Sequence, residues 1–344
     1  MATRTQSAPV PAHGLSFEPH RLPTLRSNKG KGVDPTSIKW MTPTESDTSM
    51  AEMRRRFEED GYVWVKNLIP RNVVNDMREH YFSCMSDTGI LKPGTSPRDG
   101  IFNDAEDPMQ HTGIGAASLP ENTQRLTEAH VTSDYLRFLE NLELRGFIRR
   151  FMNWEKDVLL ARTMLRHAPP HGVSTGIHYD KIFLRGGDAD FLTAWVPIGM
   201  VDLYWQRALL TEAGDISVNG GGLMYLEGST EMGKAIEDDF SERALHFSVE
   251  EKISAFNANM GHGGQLSDDA EEFGRVEAKS EHMWMVAEYE AGDVVFHNPY
   301  FIHGAGMNED RQGRIRLSTD LRFYEEGAAL DERWMKVWTP NDGL

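Results

Sequence analysis

Arg314-Ile315-Arg316-Leu317-Ser318-Thr319-Asp320-Leu321-Arg322-Phe323 is a strand with two unlike faces. Side chains two apart share a face. Arg314, Arg316, Ser318 and Asp320 therefore lie together, opposite Ile315, Leu317, Thr319 and Leu321. A charged inner face behind an apolar outer one suits a barrel with a polar ligand in its mouth better than plain core packing.

Upstream, short apolar runs separated by turn residues extend the pattern. They are Val158–Arg166, stopped by Pro169-Pro170, then Phe191–Val196, Gly222–Leu226 and Val294–Phe296. Strands of this kind predict a β-sandwich or jelly roll. Before them the chain is helical. Ser49 with Glu52 is a capping box, Gly61 stops that helix, and Tyr62–Val65 reads as a strand. Pro70 opens a second helix to about Met85, and two more are expected near Asp134–Glu140 and Glu143–Asn153. The fold class is thus α+β: a double-stranded β-helix (jelly-roll, cupin-like) core with N-terminal and inserted helices. Residues 1–45, rich in Pro, Ser and Gly, read as a flexible tail or arm, and 46–344 as a single domain. An acidic, partly helical excursion at about 231–290, with the loop Gly261-His262-Gly263-Gly264, reads as a lid or a solvated face.

Composition narrows the function. The net charge of −17 argues against nucleic acid or an anionic membrane as partner, since both demand cationic surface. No run of eighteen apolar residues predicts a membrane span. The single cysteine, Cys84, allows no internal disulfide and suits a cytoplasmic setting. Oligomeric state is not legible.

His178-Tyr179-Asp180 is the one place among thirteen histidines where a carboxylate follows two residues later. About two such pairs are expected by chance, so the motif needs its context. Imidazole and carboxylate on one short extended segment, with a second imidazole, make the facial triad of non-heme Fe(II) oxygenases. The chain supplies His303, which precedes a glycine, with His297 as rival. It also supplies a cation for a co-substrate carboxylate. A guanidinium fits that task because it is a planar fork that keeps its charge. Arg314 is preferred, with Arg316 as rival.

The order of these pieces resembles the phytanoyl-CoA dioxygenase family. His178-Tyr179-Asp180 is followed by Trp195-Val196-Pro197, Gly222-Leu223, Leu226-Glu227-Gly228-Ser229, Gly292-Asp293, His303-Gly304 and Arg314. Phe57–Val63 is similar to the family's N-terminal opening, and the resemblance runs over about residues 50–325. It implies an Fe(II)- and 2-oxoglutarate-dependent dioxygenase that consumes O2 and releases succinate and CO2. By that resemblance His178, Asp180 and His303 are the metal ligands and Arg314 binds the far carboxylate of 2-oxoglutarate. Trp195 and Ser318 line the co-substrate pocket. Asp180 fills the position a halogenase leaves open, so hydroxylation, or a related C–H oxidation, of an apolar or amino-acid-like small molecule is expected.

The chain departs from the family in three places. Ala305 stands where a serine is common, and Glu227-Gly228-Ser229-Thr230 replaces Pro-Gly-Ser-His. Residues 200–214 interrupt a strand and turn that would otherwise run on, which reads as an insertion or a retained intron in the gene model. Two other classes fit the triad: a cupin-type metalloenzyme independent of 2-oxoglutarate, and a catalytically inactive jelly-roll binding protein.

Overall fold

The first helix, α1 (Met50–Asp60), begins and ends where its residues dictate. The Ser49 side chain accepts from the Glu52 amide, and Gly61 closes the helix at φ +81° with its amide on Phe57 O. Its chain continues directly into the strand Tyr62–Val65. The computed structural model describes residues 24–28, 32–45, 47–115, 120–187, 189–199, 216–248, 265–279 and 282–340. The segment 200–214, the loop Gly261–Gly264 and the tail before residue 24 lie outside these.

The strands are β1 (Ile38–Trp40), β2 (Pro43–Thr44), β3 (Tyr62–Val65), β4 (Asp157–Leu159), β5 (Met164–Ala168), β6 (Leu192–Pro197), β7 (Leu223–Leu226), β8 (Trp284–Val286), β9 (Val294–His297), β10 (His303–Ala305) and β11 (Arg316–Glu325). They form a seven-stranded sheet, in the order β2-β3-β9-β6-β11-β4 with β5 also on β11, and a four-stranded sheet, β1-β8-β7-β10. The two sheets do not close into a barrel. They share one inner cluster, with Tyr62, Trp64, Trp195 and Val295 from the larger sheet and Leu223, Tyr225, Met285 and Ala305 from the smaller. This is the double-stranded β-helix expected of the sequence.

Helices cover the outer face of the larger sheet. These are α2 (Arg71–Cys84), α3 (Pro120–Ala129), α4 (Ser133–Leu139) and α5 (Leu142–Met152). In α5, Leu144, Phe147, Ile148 and Phe151 follow helical spacing and are all buried. Phe147 stacks on Phe296 of β9 at 4.9 Å. Burying such a ring stabilises the layer by about 2–3 kcal/mol.

Three sequence expectations shift. The strand expected over Val158–Arg166 is two strands, β4 and β5, which pair with different ends of β11. The arm expected to run free to about residue 45 is tied down before it gets there: β1 pairs with β8 and β2 with β3, so residues 38–44 cross from the edge of one sheet to the edge of the other. The acidic excursion ends short of 290, because β8 lies inside the smaller sheet with Trp284 and Val286 buried on one side and Met285 on the other. Its helix α6 (Thr230–Ala244) packs against the core through buried Glu237, and α7 (Ala270–Val276) is capped by Asp269.

Candidate metal and co-substrate site

Backbone pairing brings the two key histidines together. His178 and His303 are a hydrogen-bonded antiparallel pair: each amide donates to the other's carbonyl at 2.8 Å. Directly opposed residues point the same way, and the two rings lie 4.3 Å apart, centroid to centroid. Asp180, two residues on, joins them at the start of a 3-10 turn, Asp180–Ile182. One ligand atom from each of His178, Asp180 and His303 lies within 4.8 Å of the others, and all three side chains are buried. Behind this face Tyr179 points the other way, donates to Glu237 at 2.7 Å and is braced by Arg185. The expected lid helix α6 thus holds the ligand segment from behind.

The donors are set for a metal. His178 Nδ1 donates to Gly176 O and His303 Nδ1 to Phe301 O, each at 2.8 Å. A carbonyl only accepts, so the proton sits on Nδ1 and Nε2 keeps its lone pair. Burial, reinforced by the His303 ring, pulls His178 down to about 3, so the imidazole is neutral and ready to ligate. Burial pushes the Asp180 carboxyl up. Arg322 above all, with the three imidazoles, outweighs it and holds the carboxylate well below its usual range. Both oxygens of Asp180 are fixed: Arg322 Nη2 donates to Oδ1 at 2.8 Å and Thr193 Oγ1 to Oδ2 at 2.5 Å. Two buried imidazoles and one oriented carboxylate are the donor set that a hard-to-borderline divalent iron takes.

His297 is fully buried on β9, with Nε2 4.0 Å from Asp180 Oδ2 and its ring 4.6 Å from that of His303. It is a neighbour of the cluster and not part of the group of three.

The two arginines of the last strand part company. Strand β11 begins at Arg316, and Arg314, two residues before it, forms an isolated antiparallel bridge with Ile101. There its fork grips Asp310, with Nη2 on Oδ2 at 2.7 Å and Nε on both oxygens. In this structure the Arg314 guanidinium is thus engaged by Asp310, while Arg316, Ser318 and Asp320 continue along the strand. Arg316 is buried, donates from Nη1 to Ser318 Oγ at 2.7 Å, and has no acceptor on Nε. No carboxylate pairs with it among the described residues. Burial pulls its guanidinium down to about 10. Trp195 stands on the same inner face from β6, with its buried Nε1 also lacking an acceptor.

Thr193 and Arg322 escaped the sequence reading. Arg322 could have been found, because it continues the i, i+2 face of Arg316, Ser318 and Asp320 by one more step. Thr193 gave no signal; only the register of β6 on β11 and β9 brings it to Asp180.

Similar folds are known. The epimerase SnoN, in complex with Fe3+, alpha ketoglutarate and nogalamycin RO, is 15% identical with a TM-score of 0.48 over 86% of this chain and 91% of its own. EvdO2 from Micromonospora carbonacea var. aurantiaca, complexed with 2-oxoglutarate, is 16% identical with a TM-score of 0.44 over 86% and 100%. No curated protein matches the sequence. The family model for phytanoyl-CoA dioxygenase (PhyH) matches residues 57–315, which include the two histidines, Asp180 and the strands that carry them. The chain belongs to the phytanoyl-CoA dioxygenase family of Fe(II)- and 2-oxoglutarate-dependent oxygenases.

Proposed function

We propose that this dioxygenase oxidises a C–H bond of a small-molecule metabolite, with His178, Asp180 and His303 holding Fe(II) and Arg316 holding the far carboxylate of 2-oxoglutarate. The carrying observation is Arg316: a buried guanidinium that, among the described residues, forms no salt bridge with a carboxylate, on the inner face that also bears the partner of Asp180. With 2-oxoglutarate and O2, the metal supplies the oxidising power, and the co-substrate leaves as succinate and CO2.

The protein's own residues do the positioning. Carbonyls of Gly176 and Phe301 fix the ligand imidazoles, and Arg322 and Thr193 fix the carboxylate. Arg316, steered by Ser318, offers its open edge to the dicarboxylate, and Trp195 Nε1 provides a further donor beside it. Tyr62, Tyr225, Phe301 and Tyr289 form a buried aromatic cluster between the sheets. Asp180 occupies the ligand position that halide needs, so the reaction is hydroxylation or another outcome of hydrogen abstraction. The described chain works as one dioxygenase domain. A cytoplasmic setting suits it, with its one thiol, Cys84, half-buried on α2.

The test is succinate release over a panel of small molecules. Formation must require 2-oxoglutarate, Fe(II) and O2, and must stop in His178→Ala. A variant at His178 that consumes 2-oxoglutarate at the full rate refutes the ligand assignment, and turnover without 2-oxoglutarate favours the cupin-type alternative.

A further inference from the structure

The inner face of β11 carries a second carboxylate that the reaction scheme leaves unused. Asp320 lies between Ser318, which steers Arg316, and Arg322, which holds Asp180. Residues 316–324 of this strand are buried with one exception, and the exception is Asp320. A partly accessible side chain in mid-strand, with β5 and β6 paired on either side, opens onto the space between the sheets. Its cross-strand neighbours there are Trp195 and Met164. Among the described residues it has no hydrogen bond and no ion pair.

A dicarboxylate running from the metal group to Arg316 must cross this residue. Arg322 marks the metal end and Ser318 the guanidinium end. With a rise of about 3.3 Å per residue, Asp320 stands ~7 Å from each. Two carboxylates brought this close in a buried site cannot both stay ionised at low cost. We propose that Asp320 gates co-substrate binding: its carboxyl takes a proton from solvent as 2-oxoglutarate seats, and the acid then donates a hydrogen bond to the dicarboxylate.

Burial already pushes the Asp320 carboxyl above the usual range, before any ligand adds its charge. The groups facing it come from every neighbouring element. Arg322 and Arg316 on its own strand, Arg166 on β5 and His303 on β10 favour the ionised form; Asp180 opposes it. Tyr225 on β7 also feels its charge, while β6 contributes Trp195, which does not titrate. The bland role is a counter-charge for these arginines, and it predicts a different result.

This inference rests on the reading of Arg316 as co-substrate anchor, and one experiment separates the two. The Mn(II)-loaded protein is titrated with 2-oxoglutarate by calorimetry at pH 6, 7 and 8, in two buffers of different ionisation heat. A coupled proton weakens binding by up to about tenfold per pH unit once the free carboxyl is ionised. The wild type is expected to show that slope, with up to about one proton taken up per ligand. Asp320→Asn should bind with a flat profile, no proton uptake and the tighter affinity at pH 8; Asp320→Thr serves where the first variant fails to fold. Equal slopes in wild type and variant, or weaker binding by the variant at every pH, overturn the gate. Absence of 2-oxoglutarate binding by the wild type overturns the co-substrate reading and the gate with it.

Discussion

Replacing Arg316 with methionine should separate stability from co-substrate binding. In the free protein the guanidinium is buried, which pulls it down to about 10. At 1.36 kcal/mol per unit, keeping it charged costs the fold about 3 kcal/mol. The group's folded pKa is depressed, so this penalty is present at neutral pH and disappears only as pH rises past about 10. Arg316→Met removes the penalty and loses one hydrogen bond to Ser318, worth about 1 kcal/mol. The net gain of about 2 kcal/mol is a rise of roughly 3 °C in Tm for a chain of this length. Binding moves the other way. Truncating one partner of a buried charge pair costs about 2–5 kcal/mol, which weakens 2-oxoglutarate about 30- to 5,000-fold. Calorimetric titration of the Mn(II)-loaded protein and a thermal scan of the apo protein measure the two quantities. A variant that keeps wild-type affinity for 2-oxoglutarate, or loses several degrees of Tm, refutes the assignment of Arg316.

The remaining predictions concern the neighbours of that residue. Arg314→Gln should lower stability by about 1–3 kcal/mol, through the loss of the Asp310 fork, and leave 2-oxoglutarate affinity unchanged in the same titration. Asp180→Ala should abolish metal binding and cost about 3–5 kcal/mol in urea denaturation, because Arg322 is left buried and unpaired; adding Arg322→Met should recover part of it. Metal at a hundred times its Kd should stabilise the fold by about 2.7 kcal/mol, and a chelator should reverse this without unfolding the chain. Burial holds His130 and His167 down to about 4, below the unfolded value, so they add stability above pH 6.5 that is lost as pH falls toward 4. Denaturation at pH 7.5 and pH 5 should differ by about 2 kcal/mol for each of them, and His130→Gln should shrink the difference.

What the sequence shows plainly is what short-range periodicity encodes. The alternation along 314–323 gave the inner and outer faces of β11, and Ser49 with Gly61 bounded α1 to the residue. His178 and His303 were legible because a His-x-Asp segment and a late His-Gly stand in a fixed order. Register was not legible. It depends on which strand pairs with which: Arg316 lies opposite Ala168 of β5, while Arg314 bridges Ile101 and pairs with Asp310. Thr193 and Arg322 reach Asp180 across 13 and 142 residues of chain, distances over which no local pattern speaks. The strand β8 was hidden by its acidic flanks, and β1 and β2 by a composition that reads as tail.

Those first two strands also set an order of events during synthesis. Ile38 pairs with Trp284 and Trp40 with Val286. At roughly 5–20 residues per second, the ribosome delivers the partner roughly 10–50 s after the arm emerges. For that interval residues 38–40 have no strand to join, and the smaller sheet gains its outer edge only when most of the chain has been made. The first-made strand of the smaller sheet is therefore among the last to be placed, and a nascent chain arrested before residue 284 should carry residues 38–40 open to protease.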